Sequence, residues 1–382
     1  MFVATFWLAL PLAILELGLR AVERQLGIDE RTIAPGAAVF PLDELGYAED
    51  PVLADSARDE LRILSLGDSF AESIVEPAAT YARHLERELA PRLDRPVRVI
   101  NLGRGGTSFP GYLHQLDTWH ERLGAGAVIV NVYAGNDFDD AGSEIVGPGA
   151  AAEVAPASTT RPVTIRTGPG TRVPRRHLLR IADWIHAIWL QRALDPEHAV
   201  PAGYRPRTLQ MSEGRYLRVQ ANVARPYREG TLADDPDALA SLAGLLERLA
   251  ALEANGTRTL VFVSPPEVLV SAALRERVRA RRPDLGALDP TLPASAVRAV
   301  AEQVGYPRPI VDLTACLSAA EQPEAPLYYP RNTHWSLEGN RVVGAILTAT
   351  IAGAWFPDES PPREGDCLAA PASSPSPPLV LA

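Results

Sequence analysis

The chain contains no lysine; arginine accounts for all 37 of its Lys-plus-Arg residues. That absence excludes a Schiff-base lysine, a phosphate-loop lysine and a serine–lysine dyad. Cysteine is almost as scarce, with Cys316 and Cys367 alone. They form no Cys-x-x-Cys pair and no metal-ligand cluster. One disulfide is possible on number, but Cys367 lies in a tail, so unpaired thiols are expected. The seven histidines show no His-Glu-x-x-His spacing, which argues against a zinc enzyme. Excess positive charge is missing too. The formal net charge is −10, whereas a general nucleic-acid binder carries a basic face. No metal, cofactor or nucleic-acid partner is expected.

Long apolar runs are rare. Residues 1–15 are apolar, Glu16 interrupts them, and Leu17, Gly18 and Leu19 follow before Arg20. A membrane-spanning helix needs about 20 mostly apolar residues, so the run is marginal, and a buried amphipathic helix is the alternative. Its place at the N-terminus, ahead of a polar stretch, favours a membrane anchor over residues 1–24. No small-residue cleavage site follows it. Arg20 and Arg24 lie on the wrong side for an exported domain.

What is present is ordinary globular material, 46% hydrophobic and 22% charged, enough for a sizeable core. Short β-rich runs occur at residues 62–66, 97–101, 127–133, 259–263 and 309–313. Several are continuously apolar, as expected of strands covered on both faces. Helical patterns lie between them. Tyr81, Leu85 and Leu89 share one face; Leu239, Leu242, Leu246 and Leu249 share another. The second helix starts at an Asp235 cap with Pro236 behind it and stops at Asn255-Gly256. A last helix carries Val342, Val343, Ile346 and Leu347. The alternation predicts a parallel sheet with right-handed crossovers. Residues 141–231 are too long for a loop and read as an insertion, with a helix near 178–190. Residues 356–382 read as a disordered tail, rich in Pro, Ser and Ala from Pro361 onward.

In parallel α/β sheets ligands bind beyond the carboxyl ends of the strands. After the first strand stands Gly67-Asp68-Ser69-Phe70. After the second stands Asn101-Leu102-Gly103-Arg104-Gly105-Gly106-Thr107, and after the third Gly135-Asn136-Asp137. The fifth leads to Tyr328-Tyr329-Pro330-Arg331-Asn332-Thr333-His334-Trp335. A serine hydroxyl needs a base, and His334 can take its proton and later return it. A tetrahedral intermediate needs preorganised donors, which the Ser69 and Gly106 backbone N–H groups and the Asn136 amide can supply. Each piece alone has a structural explanation; the ordered set, each after a strand, points to acyl transfer. Asp68 and Asp137 read as turn or capping residues, and Trp335 as packing beneath the histidine loop.

These blocks resemble those of the SGNH/GDSL hydrolase superfamily: ILSLGDSF at Ile63, NLGRGGTS at Asn101, YAGND at Tyr133 and THWSLEG at Thr333. The resemblance runs from about residue 62 to 350, with the insertion unmatched. It implies a three-layer α/β/α sandwich around a five-stranded, mostly parallel, flavodoxin-like sheet, within residues 58–355. It also implies an active site of Ser69, Gly106, Asn136 and His334. The His-Trp-Ser-x-x-Gly form and the N-terminal anchor resemble members that act on cell-surface polysaccharides, with an extracytoplasmic soluble domain. One position departs from the pattern. Asn332 stands where Asp-x-His-Trp members carry the acid, and in serine proteases the comparable change lowers kcat by about 10⁴. A slow dyad, an acid borrowed from Asp137, Asp139 or Glu338, and an inactive site all stay open. The expected activity is hydrolysis of a small acyl ester, such as acetyl on a carbohydrate. The rivals are a carbohydrate O-acyltransferase and a catalytically impaired carbohydrate-binding protein.

Overall fold

In a computed structural model of the chain, residues 15–18, 59–140, 194–195, 202–204, 210–228 and 236–357 are described. The expected helix near 178–190, residues 358–382 of the expected tail and most of the proposed anchor lie outside them, while Phe356, at the start of that tail, is buried in the core. Two compact units are present: Leu42–Val154 with Tyr216–Ala382, and Met1–Pro41 with Ala155–Arg215. Among the described residues of the second unit, 15–18 are helical, and β4 (Leu194–Asp195) pairs antiparallel with β5 (Gln210–Met211). Among the described residues no helix is long and apolar enough to cross a membrane.

The first unit holds the site. Its sheet contains β1 (Leu61–Leu66), β2 (Val97–Asn101), β3 (Ala127–Tyr133), β6 (Arg258–Ser264) and β7 (Val311–Asp312). The order is β2-β1-β3-β6-β7, and every pairing is parallel. That is the doubly wound order whose switch point lies between the outward-running halves. β7 is shorter than the expected 309–313: it pairs with β6 only through Val311 and Asp312, and Pro309 has no N–H to offer a ladder.

Side chains alternate between the two faces. Ile63, Val99, Ile129 and Phe262 join one core with α2 (Tyr81–Leu93) and α11 (Leu337–Trp355). The opposite set, including Leu64, Leu66, Val128, Val130, Val261 and Val263, is equally buried. On that side lie α3 (Phe109–Trp119), α6 (Pro236–Ala254) and α9 (Leu292–Gln303), which pack on one another. The result is a three-layer α/β/α fold. Helix α6 begins at Pro236 and ends before Asn255-Gly256, where Gly256 has φ +91°. Its buried stripe runs through Leu242, Leu245, Leu246 and Leu249, with Leu239 half-buried at its edge. Helix α11 is capped by the Ser336 hydroxyl, which accepts the Gly339 N–H at 3.1 Å. It approaches α2 closely at Gly344, where a Cβ would stand 2.4 Å from that of His84.

Cys316, on α10 (Thr314–Ala320), is disulfide-bonded, and the chain has one other cysteine, Cys367. The expectation of unpaired thiols is therefore corrected. Pairing depends on distance in the fold, which position along a chain does not report.

Candidate active site

β1 ends in a turn that cannot accept a side chain at its first residue. A Cβ on Gly67 would lie 2.7 Å from that of Ala71 and 3.0 Å from that of Asn131. The chain then enters the short helix α1 (Ser69–Glu72). Asp68, fully buried, caps it by accepting the Phe70 N–H at 2.8 Å. The Ser69 hydroxyl donates to the other Asp68 oxygen at 3.3 Å. Asp68 is thus a capping residue beside the serine.

The ring of Phe70 collects the neighbouring loops. It stacks on Tyr133 at 3.9 Å between centroids, and on His334 at 5.2 Å. Trp335 meets it edge-on at 5.0 Å and meets Tyr81 at 5.9 Å. Each such pair contributes about 0.5–1.5 kcal/mol beyond its buried area. Trp335 is 1% exposed and packs beneath the histidine loop.

That loop is held by its own backbone. Tyr328 bridges Trp335, and the Tyr329 N–H donates to His334 O at 3.0 Å. The turn between them needs a left-handed residue, and Arg331 supplies it at φ +52°. Asn332 Oδ1 accepts the His334 backbone N–H at 3.1 Å and lies 2.7 Å from His334 Nδ1. An oxygen that takes a backbone N–H is an acceptor, so Nδ1 carries the ring proton and Nε2 is the basic nitrogen. Two of the other candidate acids are engaged elsewhere, and the side chain of the third, Asp139, lies outside the described residues. Asp137 accepts the Tyr133 N–H at 2.8 Å and the Tyr112 hydroxyl at 3.0 Å. Glu338 is paired with Arg341, whose hydrogen bond holds its carboxyl below the usual range.

Asn136 sits half-buried in the turn that follows β3, its N–H 3.5 Å from Tyr133 O. Gly135 beside it is obligatory, because a Cβ there would stand 2.4 Å from the Tyr133 ring. Gly106, at φ +78°, is exposed in the loop after β2. That loop lies against α1: a Cβ on Gly103 would be 2.3 Å from the Glu72 nitrogen. A Cβ on Gly105 would be 3.4 Å from the Ser69 Cβ. The serine, glycine, asparagine and histidine loops therefore all lie at one sheet edge, next to Phe70 or to α1.

Sequence reasoning passed over three residues, two that tie these loops down and one buried acid at the same edge. Asn101 Nδ2 donates to Ala71 O at 2.7 Å, while its Oδ1 accepts the Gly103 N–H at 3.0 Å. Asn340 Oδ1 accepts the Tyr81 N–H at 3.0 Å and the Ser73 hydroxyl at 3.3 Å, and its amide donates to Ser336 O at 2.9 Å. Glu267 follows β6 at the same edge and accepts the Tyr216 hydroxyl. Burial pushes its carboxyl up to about 7, against the lowering effect of Tyr216. The Pro-Pro-Glu run after a strand was the one signal for it. Among the described residues no cluster of three metal-ligating side chains occurs.

Residues 227–371 match the family model described as "SGNH hydrolase-like domain, acetyltransferase AlgX". The matched stretch includes Asn332 and His334 and begins after Ser69, Gly106 and Asn136. None of the curated proteins matches the chain. Among solved structures, a lipase/acylhydrolase from Enterococcus faecalis is 14% identical with a TM-score of 0.37, covering 77% of this chain and 96% of its own. A catalytic mutant of an acetylxylan esterase from Geobacillus stearothermophilus is 12% identical with a TM-score of 0.37, covering 81% and 99%. Structural likenesses at this level carry no weight for function.

Glu267 has a measurable consequence. Its folded-state pKa of about 7 lies above the ordinary 4.5. Between those values the folded chain keeps a proton that the unfolded chain has lost, so stability falls as pH rises through that window and is flat above it. Glu267→Gln has no such proton. Calorimetric melting should show the parent's Tm declining from about pH 5 to 7.5 more steeply than the variant's. Parallel curves would mean that Glu267 ionises as an ordinary carboxylate.

Proposed function

We propose that this chain, which carries an SGNH hydrolase-like domain, transfers an acyl group from an ester to Ser69 and then to water. The observation that carries the reading is the His334 ring, held at Nδ1 by Asn332 and stacked on the residue that follows Ser69. Ser69 Oγ attacks the ester carbonyl as His334 Nε2 takes its proton. The oxyanion is met by the Ser69 and Gly106 N–H groups and the Asn136 amide, each donor lowering the barrier by about 3 kcal/mol. Collapse breaks the bond to the alcohol, which leaves with the proton from Nε2. Water then attacks the acyl-serine, giving its proton to Nε2, and the second collapse releases the acid and restores the Ser69 hydroxyl.

An acetyl group on carbohydrate is the proposed substrate. The form of the His334 block supports it, and so does the word acetyltransferase in the matched family's description. That word also favours a second reading, in which a sugar hydroxyl replaces water in the second step. The two differ in whether acetate or an acetylated sugar accumulates when an acceptor oligosaccharide is supplied.

The soluble domain is proposed to lie outside the cytoplasm, with residues 1–24 as its anchor. The disulfide at Cys316 supports an oxidising compartment. In chain taken unreduced from its own cell envelope, Cys316 should resist iodoacetamide. Full alkylation without reductant would place the domain in a reducing compartment.

The mechanism is tested with p-nitrophenyl acetate. Ser69→Ala should abolish turnover. Asn332→Asp should raise kcat, by at most about 10⁴-fold, since the carboxylate stabilises the imidazolium that forms in the transition state. The acid limb of the pH–rate profile should move to higher pH, because His334 must be neutral to act as base and the carboxylate favours its protonated form. An unchanged kcat and limb would mean that another group sets the imidazole. Turnover that survives Ser69→Ala would remove the serine from the mechanism; no turnover in the parent or in Asn332→Asp, with Ser69 unlabelled by a serine probe, would favour the carbohydrate-binding alternative.

A further inference from the structure

The loop that carries Gly106 depends on hydrogen bonds rather than side-chain packing to stay in place. It contains three glycines within four residues, Gly103, Gly105 and Gly106, and Gly106 occupies a left-handed conformation at φ +78°. Glycine loses more freedom on ordering than any other residue, yet an oxyanion donor is effective only if it is already in place. The start of the loop is tied down by Asn101 and by the Arg104 N–H, which donates to Gly67 O at 3.0 Å. Its end is closed by the Thr107 N–H and hydroxyl, both on Arg104 O. Between these ties the Gly105 N–H donates to Glu72 Oε2 at 2.7 Å.

Glu72 is the last residue of α1, one turn beyond Ser69. A Cβ at Gly105 would stand 3.0 Å from Glu72 Oε2 and 3.4 Å from the Ser69 Cβ. The amide before the oxyanion donor is thereby bound to the helix that bears the nucleophile. A carboxylate acceptor makes this a charge-assisted bond, about twice as strong as a neutral one. Resting on the acyl-enzyme reading above, we infer that Glu72 is a positioning residue for the oxyanion loop. By holding the Gly105 amide, it fixes the direction of the Gly106 N–H relative to Ser69. The nucleophile and the donor then move as one body.

The full-length chain is compared with Glu72→Ala, Glu72→Gln and Glu72→Asp by two readouts, amide hydrogen exchange at Gly105 and Gly106 and the pH-dependent kinetics of p-nitrophenyl acetate hydrolysis. The alanine variant should lose about ten- to a hundredfold in kcat, with KM and the acid limb unchanged. Its Gly105 amide should exchange at least about tenfold faster. The glutamine variant keeps an acceptor oxygen at the same reach and should stay within about threefold of the parent. The aspartate variant, one methylene short of the amide, should behave like alanine despite its charge. An alanine variant with the parent's kcat and the parent's exchange overturns the inference, as does a glutamine variant as slow as alanine. A parent that turns over no ester overturns the acyl-enzyme reading instead. Exchange still decides the clamp: a Gly105 amide protected in the parent and released in alanine supports it, and one unprotected in the parent overturns it.

Discussion

The ring of Phe70 touches Tyr133 at the end of β3 and His334 and Trp335 in the loop before α11. It also belongs to the same four-residue helix as Ser69 and Glu72. Parallel strands deliver their carboxyl ends to one edge, but the sheet alone leaves the loops beyond them free to splay. Stacking on one buried ring, 1% exposed, converts that shared edge into a fixed arrangement. The glycine loop, which has no aromatic residue, is joined to the same helix by hydrogen bonds from Asn101 and Gly105. Tyr81 extends the cluster inward, meeting Trp335 and Phe262 edge-on and sharing a hydrogen bond with Ser65 at 2.7 Å.

The neutral residue at 332 has two separable effects. In serine proteases, replacing the acid by asparagine costs about 10⁴ in kcat because the wrong tautomer forms. Here the backbone N–H of His334 donates to the same Oδ1 that faces Nδ1. The amide oxygen is thereby kept toward the ring and its NH₂ kept away, which selects the tautomer with a basic Nε2. What is missing is charge to stabilise the imidazolium. On the proposed mechanism the penalty is accordingly a fraction of the protease value.

Much of this was legible in the chain. A short apolar run followed by Gly-Asp-Ser, by a glycine turn or by Gly-Asn-Asp marks where a strand ends and a loop begins, and strand ends are where parallel sheets place chemistry. Leu242, Leu246 and Leu249 showed α6 because helical periodicity is local. The joints between loops were not legible. Asn340 reaches Ser73 across 267 positions, and nothing near either residue announces the contact. Glu72 has no local pattern that marks it, because its role depends on which loop folds over it. The Cys316 disulfide was misjudged for the same reason, since closeness in space has no local signature. Glu267 is the intermediate case: its place after β6 was readable, but its partner Tyr216 stands on the helix Glu213–Val223, within the residues read as an insertion.

The acyl-enzyme is the species on which the whole account turns, and intact-protein mass spectrometry after treatment with a fluorophosphonate detects its analogue directly. The account predicts one adduct per chain, mapped to Ser69, that disappears in Ser69→Ala and forms far more slowly in His334→Ala. No adduct on folded protein, or an adduct on another residue, would contradict it.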